Sequence, residues 1–69
     1  MTIGESIKKA REDKGYSLNK LSMKSGIFFT TISSWEQGRA FPTIINLIPI
    51  ADALGVTLDE LVGRNVKSN

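Results

Sequence analysis

Apolar side chains recur along this chain at helical spacing, in five short groups separated by glycine, proline and hydroxyl residues. Ile3, Ile7 and Ala10 share one stripe of a helix predicted from about Ile3 to Lys14. Thr2 and Glu5 form a Thr-x-x-Glu capping box at its start, and Gly15 stops it with Tyr16 as the apolar partner of the stop. Ser17 caps a second helix that runs through about Ser25 and turns Leu18 and Leu21 inward. Gly26 then supplies the positive φ of a tight turn, and a third helix spans about Phe29 to Gln37, ending at Gly38. A loop from Arg39 to Pro42 leads to a fourth helix capped by Thr43, with Ile44, Leu47, Ile48, Ala51 and Leu54 on its inner side and Gly55 at its end. Pro49 removes a hydrogen bond and crowds the preceding turn there, so a bend or a late-starting regular helix is expected. Thr57 and Glu60 repeat the capping box ahead of a short fifth helix, about Leu58 to Val62, which Gly63 stops. No strand-like alternation, internal repeat or low-complexity segment is visible.

The pattern predicts an all-α domain over residues 1–63, with a polar C-terminal tail at 64–69. The 69 residues bury only about 60% of the surface their unfolded chain exposes, which leaves room for one small core and no separate catalytic domain. The chain has neither cysteine nor histidine, so the common zinc ligand sets, disulfides and Ser-His chemistry are absent. No enzyme, cofactor, metal or small-molecule substrate is expected. No window approaches the 18 or so apolar residues of a membrane span, and no basic region followed by an apolar one opens the chain. The expected location is cytoplasmic, with no membrane partner.

Charge sharpens this picture slightly. The net charge is +2, yet Lys8, Lys9, Arg11, Lys14, Lys20, Lys24 and Arg39 all fall in the first forty residues, against Glu5, Glu12, Asp13 and Glu36. That basic excess lies with Ser17 to Gly38, two short helices joined by a turn at Ser25, Gly26 and Ile27. The second of them carries a hydroxyl-rich outer face that no core requires. This is the pattern of a helix-turn-helix, which can place one helix in the major groove of DNA.

From Ile3 to about Gly63 the chain resembles the lambda-repressor-like helix-turn-helix domains of the Cro and xenobiotic-response-element type. The features that carry the resemblance are Ile7 and Arg11, Gly15 and Ser17, Leu21, Gly26 with Ile27, Ile32, the run Trp35 to Arg39, Pro42, and the run Ala51 to Leu61. The resemblance implies a compact five-helix fold with helices two and three as the helix-turn-helix. It implies that Phe29, Thr30, Ser33, Ser34 and Gln37 face DNA bases while Ile32 and Trp35 are core. Helical geometry agrees, because 29, 33 and 37 form one i,i+4 row and 30 and 34 the next. Ser17, with the free amides at the start of helix two, resembles a phosphate clamp, and Arg39 is the best charged phosphate contact. Arg11 and Glu36 are implied to form a partly buried structural ion pair.

Several positions depart from the family pattern. Leu18 replaces a common glutamine, Ser22 and Ser25 stand where apolar residues are usual, and Met23 takes an exposed polar site. Phe28 stands at the usual capping position of helix three and Phe29 at a principal base-reading one. Phe28 either folds back over the gap beside Ser25 or stays exposed. Phe29 could pack on a thymine methyl or anchor a protein. Two readings follow. In one, the chain is a small sequence-specific DNA-binding transcriptional regulator of repressor type, bacterial or phage, reading a double-stranded operator as a homodimer on a palindrome. In the other, it is an antirepressor or modulator that docks Phe28 and Phe29 on another repressor. A dimer would use the last helices, with Leu58, Leu61 and Val62 as candidates, unless those groups are internal.

Overall fold

The computed structural model describes residues 2–62. Its elements are α1 (Ile3–Asp13), α2 (Leu18–Ser25), α3 (Phe29–Glu36), α4 (Ile44–Leu54) and α5 (Leu58–Val62), and no strand occurs among the described residues. The ends obey the local chemistry. Thr2 and Glu5 exchange side-chain to backbone hydrogen bonds of 2.8 and 3.2 Å, and Thr57 and Glu60 do the same at 2.8 and 3.1 Å. Lys14 and Gln37, placed inside helices one and three by the sequence pattern, are instead their C-caps. Gly38, at φ 78°, closes α3 in a Schellman motif in which the Arg39 N–H donates to the Ser34 carbonyl. The proposed stop at Gly63 and the tail at 64–69 lie outside the described residues.

Each helix contributes one large, fully buried branched side chain: Ile7, Leu21, Ile32, Ile50 and Leu61. Trp35, Leu47, Ala51 and Leu54 complete the cluster. Burial of each such group stabilises by about 1.5–3 kcal/mol, a large share of the 5–15 kcal/mol typical of a domain. The consequence is a shared core in which α2 packs against α3 and α4, α1 against α3 and α5, and α4 against α5.

Helix α4 differs from its expected register. Ile44 and Ile48 are exposed, and Ile50 takes the core position beside Leu47, Ala51 and Leu54. Apart from Asn46 the first two turns of α4 are apolar, so helical periodicity fits two overlapping stripes and cannot choose between them. The helix also starts at Ile44, directly after the Thr43 cap, rather than late. Pro49 leaves the Ile45 carbonyl without its i+4 donor, and Ile45 is exposed, so water can take that bond.

Two contacts fix how α1 meets the end of α3. Gly4 is buried against backbone: a Cβ there would run into the Trp35 carbonyl oxygen, with the carbonyl carbon at 2.9 Å and the Glu36 Cα at 3.1 Å. Beside it, Arg11 donates from Nε to Glu36 Oε2 at 2.7 Å, from Nη2 to Oε1 at 3.0 Å and from Nη1 to the Tyr16 carbonyl at 2.8 Å. The two side chains are only 12% and 7% exposed. The hydrogen bond to Glu36 raises the arginine pKa, against a lowering by burial, with the charges of Glu36 and Glu12 adding to the rise. A raised cation pKa means that the guanidinium's own contribution is complete below its unfolded range and is lost as pH rises through its folded one.

Both contacts can be tested by melting. Gly4→Ala should lower the melting temperature by several degrees. The collision with fixed backbone costs about 1–3 kcal/mol, more than the roughly 0.8–1 kcal/mol that alanine gains in a helix. A rise in the melt would contradict the close approach. Glu36→Ala should cost on the order of 3 kcal/mol by stranding the Arg11 guanidinium, a fall of more than about 10 °C in a domain this size. An unchanged thermal melt would show that the pair contributes nothing.

Candidate nucleic-acid interface

The turn between α2 and α3 is held by residues that sequence reasoning marked only as departures. Gly26 takes φ 78°, and its N–H donates to the Ser22 carbonyl at 2.8 Å. The Ser22 hydroxyl donates to the Ile27 carbonyl at 2.6 Å, and the Ile27 N–H donates to Ser25 Oγ at 3.3 Å. Two serines therefore satisfy turn groups that apolar residues at those positions would leave to the solvent. The pair of serines at 22 and 25, just ahead of Gly26, was the available signal.

Helix α3 starts without a side-chain cap. Phe28 holds the cap position at φ −57°, ψ 140°, and its carbonyl accepts from Thr31 and Ile32. Its ring is 81% exposed. It does not fold back over Ser25, whose hydroxyl is engaged with the turn. Phe29 is 49% exposed, Thr30 and Gln37 are exposed, and Ser33 and Ser34 are half-buried, while Ile32 and Trp35 are buried. The five nominated side chains thus lie on the side of α3 away from the core. Gln37 Nε2 donates to Ser33 Oγ at 2.7 Å, which occupies one donor of the only amide in the set.

On α2, Ser17 Oγ accepts from the Lys20 N–H at 3.0 Å. The Leu18 and Asn19 amides precede any intrahelical acceptor and point out of the helix start. Lys20 and Lys24 hold their ammonium groups 6.0 and 5.9 Å from the centre of the Tyr16 ring, stacking a basic row beside Ser17. The spacing 16, 20, 24 would have exposed this row in the sequence. Arg39 is exposed in the loop that follows α3. Lys9, by contrast, pairs with Asp13 at 3.1 Å on α1.

Other chemistry is sparse. Among the described residues no three acidic side chains gather into a metal-binding group, and no helix is long and apolar enough to cross a membrane. A shallow cleft of about 220 Å³ lies between α1 and α5, bordered by Ser6, Lys9 and Glu60, on elements other than α2 and α3. The candidate dimer residues are internal: Leu61 is core, and Leu58 and Val62 pack half-buried against it. The apolar face anticipated on α5 is used by the fold.

The helix-turn-helix family profile matches residues 7–61. The chain is 38% identical over 60 residues to the HTH-type transcriptional regulator y4dJ of Sinorhizobium fredii, covering 87% of this chain and 78% of that protein. It is 36% identical over 64 residues to the cryptic phage CTXphi transcriptional repressor RstR of Vibrio cholerae. That match covers 93% of this chain and 57% of RstR, so the chain spans little more than half of the repressor's length. Among solved structures, the restriction-modification controller protein C.AhdI of Aeromonas hydrophila superposes with a TM-score of 0.82 at 27% identity, covering 86% of this chain and 89% of that one.

Proposed function

The chain belongs to the helix-turn-helix family of transcriptional regulators, of the xenobiotic-response-element type, and on that premise we propose that it is a sequence-specific DNA-binding regulator of repressor type that reads the major groove with α3. The observation that carries this reading is the division of α3. Ile32 and Trp35 meet every demand of the core, while Phe29, Thr30, Ser33, Ser34 and Gln37 line the other side, where no core contact requires them. Ser17 with the α2 amides, Lys20, Lys24 and Arg39 contact phosphates and set the register of α3 in the groove. The base-facing set carries no charge and one amide, so hydrogen-bond readout is modest. Phe28 and Phe29 supply apolar contact instead, and the apolar feature of the major groove is the thymine methyl. Relatives named as regulators and repressors favour this reading over docking on another repressor. The protein acts in the cytoplasm, without catalysis, on an operator of two half-sites.

The test is selection of duplexes from a random pool by the full chain, followed by affinity measured across salt. Affinity should fall linearly on a log–log plot with a slope of about −0.9 per phosphate contact, and Arg39→Ala should flatten it by about one unit. Phe29→Ala should keep the slope and relax preference at one base by roughly 1–3 kcal/mol. Enrichment of no sequence, with affinity insensitive to salt, would overturn the reading.

A further inference from the structure

From Ser25 through Trp35 the chain has no Asp, Glu, Lys, Arg, Asn, Gln or His, so the start of α3 offers DNA only phenyl rings and hydroxyl groups. Phe28 and Phe29 are exposed there, and so is Thr30 beside them. Glu36, the first charged residue of the helix, is held by Arg11 and almost out of solvent. Gln37, the only amide of the base-facing set, stands eight residues beyond Phe29, about 12 Å along the axis, and one of its donors is taken by Ser33. No forked donor or acceptor of α3 therefore stands beside the two rings.

In the major groove a thymine differs from a cytosine at two atoms. Its C4 carries an oxygen acceptor where cytosine carries an amino donor, and its C5 carries a methyl group that cytosine lacks. A phenyl ring packs on the methyl and is indifferent to the group at C4. An Arg, Asn or Gln beside the ring would read that group; a hydroxyl both donates and accepts, so Thr30 suits either form. We propose, and the proposal rests on α3 reading the groove, that the tip of α3 recognises the C5 methyl group itself: 5-methylcytosine replaces thymine at the position facing Phe29, while uracil and unmethylated cytosine are rejected. Phe29 is then a specificity-determining residue that answers to cytosine methylation of the operator as well as to its base sequence. Burial of one methyl group sets the size of the effect, about four- to tenfold in affinity. Methylation of a cytosine at C5 thus converts a weak site into a strong one.

The test uses the full chain and a duplex that it selects, with affinity measured by fluorescence anisotropy at one salt concentration. Each thymine is replaced in turn by uracil, which removes only the methyl group. At least one position should lose about four- to tenfold. There, 5-methylcytosine paired with guanine should bind within about twofold of thymine, and cytosine should bind as weakly as uracil. Phe29→Ala should bring all four bases to within about twofold of one another. Phe29→Leu, which keeps an apolar contact, should still favour the two methylated bases. Phe29 is half exposed, so both variants should melt near the wild type. Two results would overturn the proposal and leave the groove reading standing: uracil tolerated at every thymine, or 5-methylcytosine bound no better than cytosine. A methyl preference that survives Phe29→Ala would overturn the assignment to Phe29. Absence of any sequence-selective, salt-sensitive binding by the wild type would overturn the groove reading, and the methyl reading with it.

Discussion

One guanidinium holds together three separate parts of this chain. Arg11 reaches the last turn of α3 through Glu36 and the entrance to α2 through the Tyr16 carbonyl, and it does so almost out of the solvent. The position of α3 relative to α2 depends on this node and on the Gly4 contact beside it, because a helix of eight residues is too short to hold its own geometry in water. A short reading helix needs such an anchor at its far end. Its near end is free of side-chain capping and carries Phe28, so α3 is fixed at the C-terminal side and presented at the N-terminal side.

Much of the fold was legible because helix boundaries are local chemistry. Thr2, Ser17, Thr43 and Thr57 each accept a backbone N–H at the position their spacing implied. Two features were not legible. Gly4 sits where a helix has no local use for glycine, and only the approach of another backbone explains it. In α4, isoleucine and leucine at nearly every position but Asn46 in the first turns make the pattern degenerate, and the inner face is chosen by what α2 and α5 present to it.

The same degeneracy links structure to function. Apolar residues beyond those the core can bury must lie on the surface, and apart from Met23 the large ones stand in two groups: Phe28 with Phe29 at the tip of α3, and Phe41, Ile44, Ile45 and Ile48 at the start of α4. Isolated exposed apolar residues need no explanation, but patches on so small a domain do. On the groove-reading proposal, the first patch meets the methyl groups of DNA. The serines of the turn complete the division of labour. Ser22 and Ser25 engage their hydroxyls with the backbone between α2 and α3, while Thr30 and Ser34 keep side-chain hydroxyls free of partners among the described residues.

Everything proposed for DNA depends on α3, steadied by α1, entering the major groove. Backbone amide chemical shifts of the isotope-labelled chain, followed by NMR while a selected operator duplex is added at low salt, test that placement most directly. The largest shifts should fall at Ser17 to Lys20, at Phe28 to Gln37 and at Arg39, with the cleft residues Ser6 and Glu60 scarcely moved. Shifts concentrated on α1 and α5, with α3 unperturbed at saturating duplex, would contradict it.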